Sequence, residues 1–157
     1  MKNSHTVLKL VAAALLTCTA GLAAAAGSQT LAVTASVQGI CKFSAASTPL
    51  AFGAIDPSLT TDKTMTANVL YKCTKGTASA GVTLATGGLN RTMTSTTAGV
   101  ADTLGYTLSL TGGTQTGAGF GATGDLTLVV LGTITALQYQ NASAANYAET
   151  VTLNITP

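Results

Sequence analysis

Apolar and polar positions alternate along most of the chain beyond residue 27. Between Thr30 and Cys41, Leu31, Val33, Ala35 and Val37 fall on one side, and Thr30, Ala32, Thr34, Ser36 and Gln38 on the other. A period of two sends successive side chains to opposite faces of a strand. The pattern returns at Leu50 and Phe52 within PLAFGAID, and from Thr64 to Thr74, where Met65, Ala67, Val69, Tyr71 and Cys73 share a side. Val82 and Leu84 mark a short stretch, and Leu104, Tyr106, Leu108 and Leu110 alternate with Gly105, Thr107, Ser109 and Thr111. Leu126 to Ile134 is a more continuous apolar run, and Val151, Leu153 and Ile155 alternate with Thr and Asn.

Gly, Pro and Asn separate these seven stretches. No helical period stands out; Ala142 to Ala148 is Ala-rich but carries Asn146, and is expected to be a loop. Short strands at regular spacing predict an all-β immunoglobulin-like sandwich. Phe43, Phe52, Tyr71 and Tyr106 take core or near-core positions in this scheme, while Tyr139 and Tyr147 are left freer.

The first 26 residues change the composition that matters. Lys2 and Lys9 precede an uncharged apolar run from Leu10 to Leu16, and Ala23 to Ala26 offer small residues for cleavage. Residues 1–26 therefore read as a secretory signal, too short to span a membrane, and no later run is long and apolar enough to do so. With Lys2 and Lys9 gone, seven basic residues become five, against the five acids Asp56, Asp62, Asp102, Asp125 and Glu149. A net charge near zero argues against nucleic acid, which needs a basic face, and removes the repulsion that keeps subunits apart. Cys18 leaves with the signal, so Cys41 and Cys73 remain. An even number in an exported chain predicts a disulfide, worth about 3–4 kcal/mol in the chain-entropy model. Two unpaired buried thiols are the alternative.

Catalytic chemistry is poorly supplied. The one histidine, His5, lies in the signal, and without it the usual nucleophile–base sets are absent. The acids are scattered, with no metal-ligand spacing. No catalytic, metal or cofactor residues are expected, and the chain is not expected to be an enzyme. Gly119 to Gly124 does match G-x-G-x-x-G, but a dinucleotide site needs a preceding strand and a following helix. Here a strand follows, so a flexible hairpin loop is expected. The chain has no Trp to build a sugar platform.

The order of features is more informative than any one of them. An alternating strand leads to Cys41, then come STPLAFGAIDP, VLYKCT with Cys73, NRTM, LGYTLSL, LVVLGTI and NYAETVTLNIT. This order resembles the spore coat protein U domain family, which includes the pilin subunits of archaic chaperone–usher pili. The resemblance implies an incomplete sandwich, lacking its final strand, over residues 41–157. Residues 27–40 would be the donor-strand segment, with Leu31, Val33, Ala35 and Val37 filling pockets of a neighbour by strand addition. Subtracting that stretch from seven leaves six, one short of a seven-stranded sandwich.

The implied partners are copies of the chain or other pilin subunits, a periplasmic chaperone and an outer-membrane usher. The implied role is a structural subunit of a bacterial surface pilus, supporting adhesion or biofilm formation. Two alternatives stay open. One is a closed monomer using Thr30–Gln38 as its own first strand. The other is a single-domain secreted adhesin or coat protein that does not polymerise.

Overall fold

A strand exists only where its main chain finds a ladder partner, and that condition separates the alternating stretches into two kinds. The computed structural model describes residues 27–79 and 81–157. The predicted signal, with Lys2, His5, Lys9 and Cys18, lies outside the described residues. The chain divides into a unit ending at Ala35 and a unit from Ser36 to Pro157. Within the first, residues 27–35 contain no strand or helix, and Leu31 and Val33 are 87% and 82% exposed. The alternation of Thr30–Gln38 is thus not accompanied by a strand, because residues 27–40 enter no ladder among the described residues.

The second unit is built from antiparallel strands. They are β1 (Cys41–Phe43), β2 (Lys63–Cys73), β3 (Gly81–Leu84), β4 (Asn90–Ser95), β5 (Thr103–Thr111) and β6 (Leu126–Ile134). A short helix α1 (Ala136–Gln140) follows, then β7 (Tyr147–Ala148) and β8 (Leu153–Thr156). Six strands form one sheet in the order β1-β2-β6-β5-β4-β7, and β3 pairs with β8 in a separate ribbon. The large sheet curls into an open half-barrel, an incomplete immunoglobulin-like sandwich without its closing strand. The expected all-β, incomplete architecture is therefore present.

Register fixes which side chains face inward. β2 pairs with β6 from Lys63↔Ile134 to Tyr71↔Leu126, and β5 pairs with β6 through Leu108↔Gly132. Alternation then places Tyr71, Cys73, Leu104, Tyr106, Leu108, Leu128, Val130 and Ile134 in one buried cluster. The opposite face of β5 shows Thr103, Thr107, Ser109 and Thr111 to solvent. Cys41 faces Cys73 across the β1–β2 ladder, and a disulfide joins them.

Five local expectations are corrected. PLAFGAID is not a strand: its main chain has no ladder partner, although Phe52 is buried. Asn90–Ser95 is a strand that the pattern does not announce, since it is polar on both faces apart from Met93. Helix α1 breaks the expectation of no helix; five residues are too few to show a period. Its Tyr139 is core rather than free, with its hydroxyl donating to the Leu59 and Thr61 carbonyls at 3.1 and 2.6 Å. Part of the expected Ala142–Ala148 loop is the two-residue strand β7.

Candidate functional site

The incomplete sandwich leaves a cleft of about 580 Å³ over the inner face of the large sheet. Ala67 and Val69 of β2, Val130 of β6, and Tyr106, Leu108 and Leu110 of β5 form its floor. One rim is the chain at 45–52, running on from β1; the other is the chain at 149–153, leading into β8. Among the described residues, no main-chain hydrogen bond to another main-chain group is made by 45–55 or by 149–151. Both rims therefore present free donors and acceptors beside an apolar floor. A volume of this size would also suit a small molecule. Unpaired backbone on two sides is what a strand recognises, and a small molecule does not need it.

The floor is shaped by one glycine. A Cβ at Gly132 would lie 2.7 Å from Leu50 Cδ2 and 2.8 Å from Phe52 Cζ. Without it, the 45–52 rim drops its side chains directly onto β6. The Phe52 ring meets Tyr106 edge-on, with centroids 6.1 Å apart and planes at 70°, a favourable arrangement for two aromatic quadrupoles.

Polar side chains gather at one end. Arg91 of β4 is ion-paired with Glu149 of the second rim, and Arg91 Nη1 donates to the Thr86 carbonyl at 2.8 Å. Tyr106 Oη donates to the other Glu149 oxygen at 2.7 Å. The Arg91 and Glu149 side chains are only 11% and 20% exposed. Burial by itself would raise the Glu149 pKa, but the bonds from Arg91 and Tyr106 outweigh it and hold the carboxyl below its ordinary value. Tyr106 is pushed up to about 12, first by burial and then by its bond to the Glu149 carboxylate. Arg91 is raised by its bond to Glu149. These directions describe a carboxylate and a guanidinium that stay charged and a phenol that stays protonated.

The chain matches the model of the Spore Coat Protein U domain over residues 27–154. It belongs to the Spore Coat Protein U domain family. No curated protein and no solved structure matches it. The family order suggested by the motifs is thus the right one, and the matched domain takes in the 27–40 segment as well as the sandwich.

Within this Spore Coat Protein U domain, the residues singled out from sequence fall in two places. Leu31, Val33, Ala35 and Val37 are all exposed and outside any strand. Cys41 and Cys73 sit at the base of the 45–52 rim, with Cys73 fully buried. The G-x-G-x-x-G stretch lies in the loop between β5 and β6, and a Cβ at Gly124 would collide with the Gly119 carbonyl oxygen. Its glycines serve a tight turn. Among the described residues, no three His, Cys, Asp or Glu side chains gather as a metal site. No helix among them is long and apolar enough to cross a membrane.

Sequence reasoning missed the Arg91–Tyr106–Glu149 group. No sequence signal marks it: apart from Met93 both faces of β4 are polar, so Arg91 stands in no apolar phase.

Proposed function

We propose that this chain is a non-enzymatic structural subunit of a surface filament, exported and joined to its neighbours by strand donation. In this reading the 27–40 segment of one subunit enters the cleft of the next, with Leu31, Val33, Ala35 and Val37 on the apolar floor. The observation that carries it is the cleft itself: an apolar floor between two rims of unpaired main chain. Ladder bonds along both rims would contribute about 0.5–1.5 kcal/mol each. Burying each larger apolar side chain would add roughly 1.5–3 kcal/mol. The sum exceeds the ordering cost of an extended segment only when the strand docks along its length.

An open cleft is also a hazard, because exposed edges pair with any strand they meet. A periplasmic chaperone that covers it before assembly, and an outer-membrane usher that exchanges chaperone for subunit, complete the proposal. The filament lies at the cell surface and supports adhesion or biofilm formation.

The test is a mixing experiment. Val33→Asp places a carboxylate where the donor needs an apolar group, and burying it unpaired is very costly. Such a subunit accepts a donor but cannot be one, so adding it to wild type shortens filaments. Thr34→Asp, on the opposite side of the segment, has the milder effect. Normal filaments from Val33→Asp alone overturn strand donation and leave a coat protein or adhesin that does not polymerise in this way.

A further inference from the structure

We infer that Arg91, Tyr106 and Glu149 are positioning residues that tie the two rims of the cleft to its floor at one end and so set the register of an incoming strand. The inference rests on the donation reading and adds to it the feature that sets where an incoming strand stops.

Tyr106 is the central piece because it touches both rims from the floor. Its ring packs edge-on against Phe52 of one rim, and its hydroxyl donates to Glu149 of the other. Arg91 then fixes Glu149 from β4 and is itself tied to the Thr86 carbonyl. Glu149 opens the stretch 149–151, which makes no main-chain hydrogen bond among the described residues. Without an anchor such a stretch has no reason to stay extended and at a constant distance from the opposite rim. The charge-assisted bonds supply that anchor from side chains alone and leave the main chain of the rim free to pair.

The same group marks where the cleft stops. Along β5 the inward positions run Leu110, Leu108, Tyr106 and Leu104. The first three line the cleft, whereas Leu104 is buried and lies outside it, and of that rung only Met93 of β4 still reaches the lining. On β6, Val130 lines the cleft, while Ile134 is fully buried and does not. A strand running along the β5–β6 part of the floor therefore meets Tyr106 and Glu149 at its end, with Arg91 holding Glu149 from behind. A repeating apolar alternation such as that of residues 31–37 could otherwise slip by two residues and still present the same face. A fixed end removes that freedom.

The test uses the full-length exported chain and an excess of a synthetic peptide with the sequence of residues 27–38, carrying a photo-crosslinking side chain in place of Val37. Wild type is expected to bind the peptide and to crosslink at one narrow set of residues. Tyr106→Phe keeps the ring on Phe52 but removes the bond to Glu149; Glu149→Gln keeps the shape and removes the charge. Each should bind about tenfold more weakly, the scale of one lost charge-assisted hydrogen bond, and should spread its crosslinks over positions two residues apart. A merely structural role would lower stability without spreading the crosslinks. Asp62→Asn, outside the cleft, is the control and should crosslink as wild type does. Should Tyr106→Phe not fold, Glu149→Gln decides. Folded variants with wild-type affinity and a single crosslink position overturn the positioning role and leave donation standing. A wild-type chain that does not bind the peptide overturns both.

Discussion

The inner face of the large sheet has two halves that differ in how they are covered. In one half, Leu104, Ile134 and Tyr139 are buried by the chain itself. Helix α1 and the chain at 59–62 are knitted together there: Tyr139 bonds the Leu59 and Thr61 carbonyls, Gln140 Nε2 donates to Leu59 at 2.6 Å, and the Ala136 amide donates to Asp62 Oδ1 at 3.0 Å. In the other half, Val69, Leu108 and Val130 lie between rims whose main chain is unpaired over 45–52 and 149–151. The strands run through both halves, so strand propensity does not distinguish them. The difference is one of supply: the chain at 59–62 and helix α1 complete the first half, and no described segment completes the second.

The largest expected effect comes from cutting the anchor of the open half. The Cys41–Cys73 bridge ties β1, and hence the 45–52 rim that follows it, to β2. Cys41→Ser should lower stability by about 2–5 kcal/mol, read by denaturant unfolding of the exported protein, and should lower its yield.

Next is an intrusion into the floor. At Gly132 a valine must displace Leu50 and Phe52. Gly132→Val should therefore cost about 1–3 kcal/mol through overpacking. Binding of the 27–38 peptide should weaken as well, because the rim itself is moved. An unchanged peptide affinity would mean that the rim does not take part in the cleft.

The closed half offers the converse. Tyr139→Phe removes the bonds to Leu59 and Thr61 and should cost about 0.5–1.5 kcal/mol, measured by the same unfolding curve. Peptide binding should not change. If it did, the two halves would be coupled more tightly than their separate coverings imply.

The smallest effect is a dependence on acid. Asp102 accepts bonds from the Ser143 amide at 2.7 Å, from the Thr103 amide at 2.8 Å and from the Tyr147 hydroxyl at 3.3 Å. Chiefly through Ser143, its pKa falls from 3.8 to about 2. A depressed carboxyl stabilises the folded state above its ordinary pKa, and that contribution is lost as pH falls toward the folded value. The unfolding midpoint should therefore decline between pH 3.8 and about 2, and Asp102→Asn should flatten the decline in this window.

Much of the fold is legible in the pattern. β2, β5, β6 and β8 each follow an alternating or continuous apolar run, and the faces assigned to Tyr71, Cys73, Leu104, Tyr106 and Leu108 are those the structure buries. β4 is not legible, because Asn, Thr and Arg fill both of its faces and its place in the sheet comes from pairing Arg91↔Tyr106 and Met93↔Leu104. PLAFGAID misleads in the opposite direction. Leu50 and Phe52 alternate as strand residues do, yet no strand among the described residues pairs with the segment. Tyr139 was hidden because a five-residue helix carries no readable period. The candidate site was half visible: the apolar floor could be named, whereas the group at its end could not.

What the sequence determined by itself is local. Alternation decides which side chains of a strand travel together, because the pleat has a period of two whatever the strand pairs with. With residues 1–26 read as a signal, two cysteines remain, and the bridge expected between them is the one the structure forms. What only the tertiary structure decided is which strands meet, and so which stretch of that common face is left uncovered. Arg91 and Glu149 are 58 positions apart and Tyr106 and Glu149 are 43 apart. They come together because β4 pairs with β5 on one side and with β7, just ahead of Glu149, on the other. No local preference encodes that meeting; it follows from long-range ladder pairing and from burial of the face those ladders create.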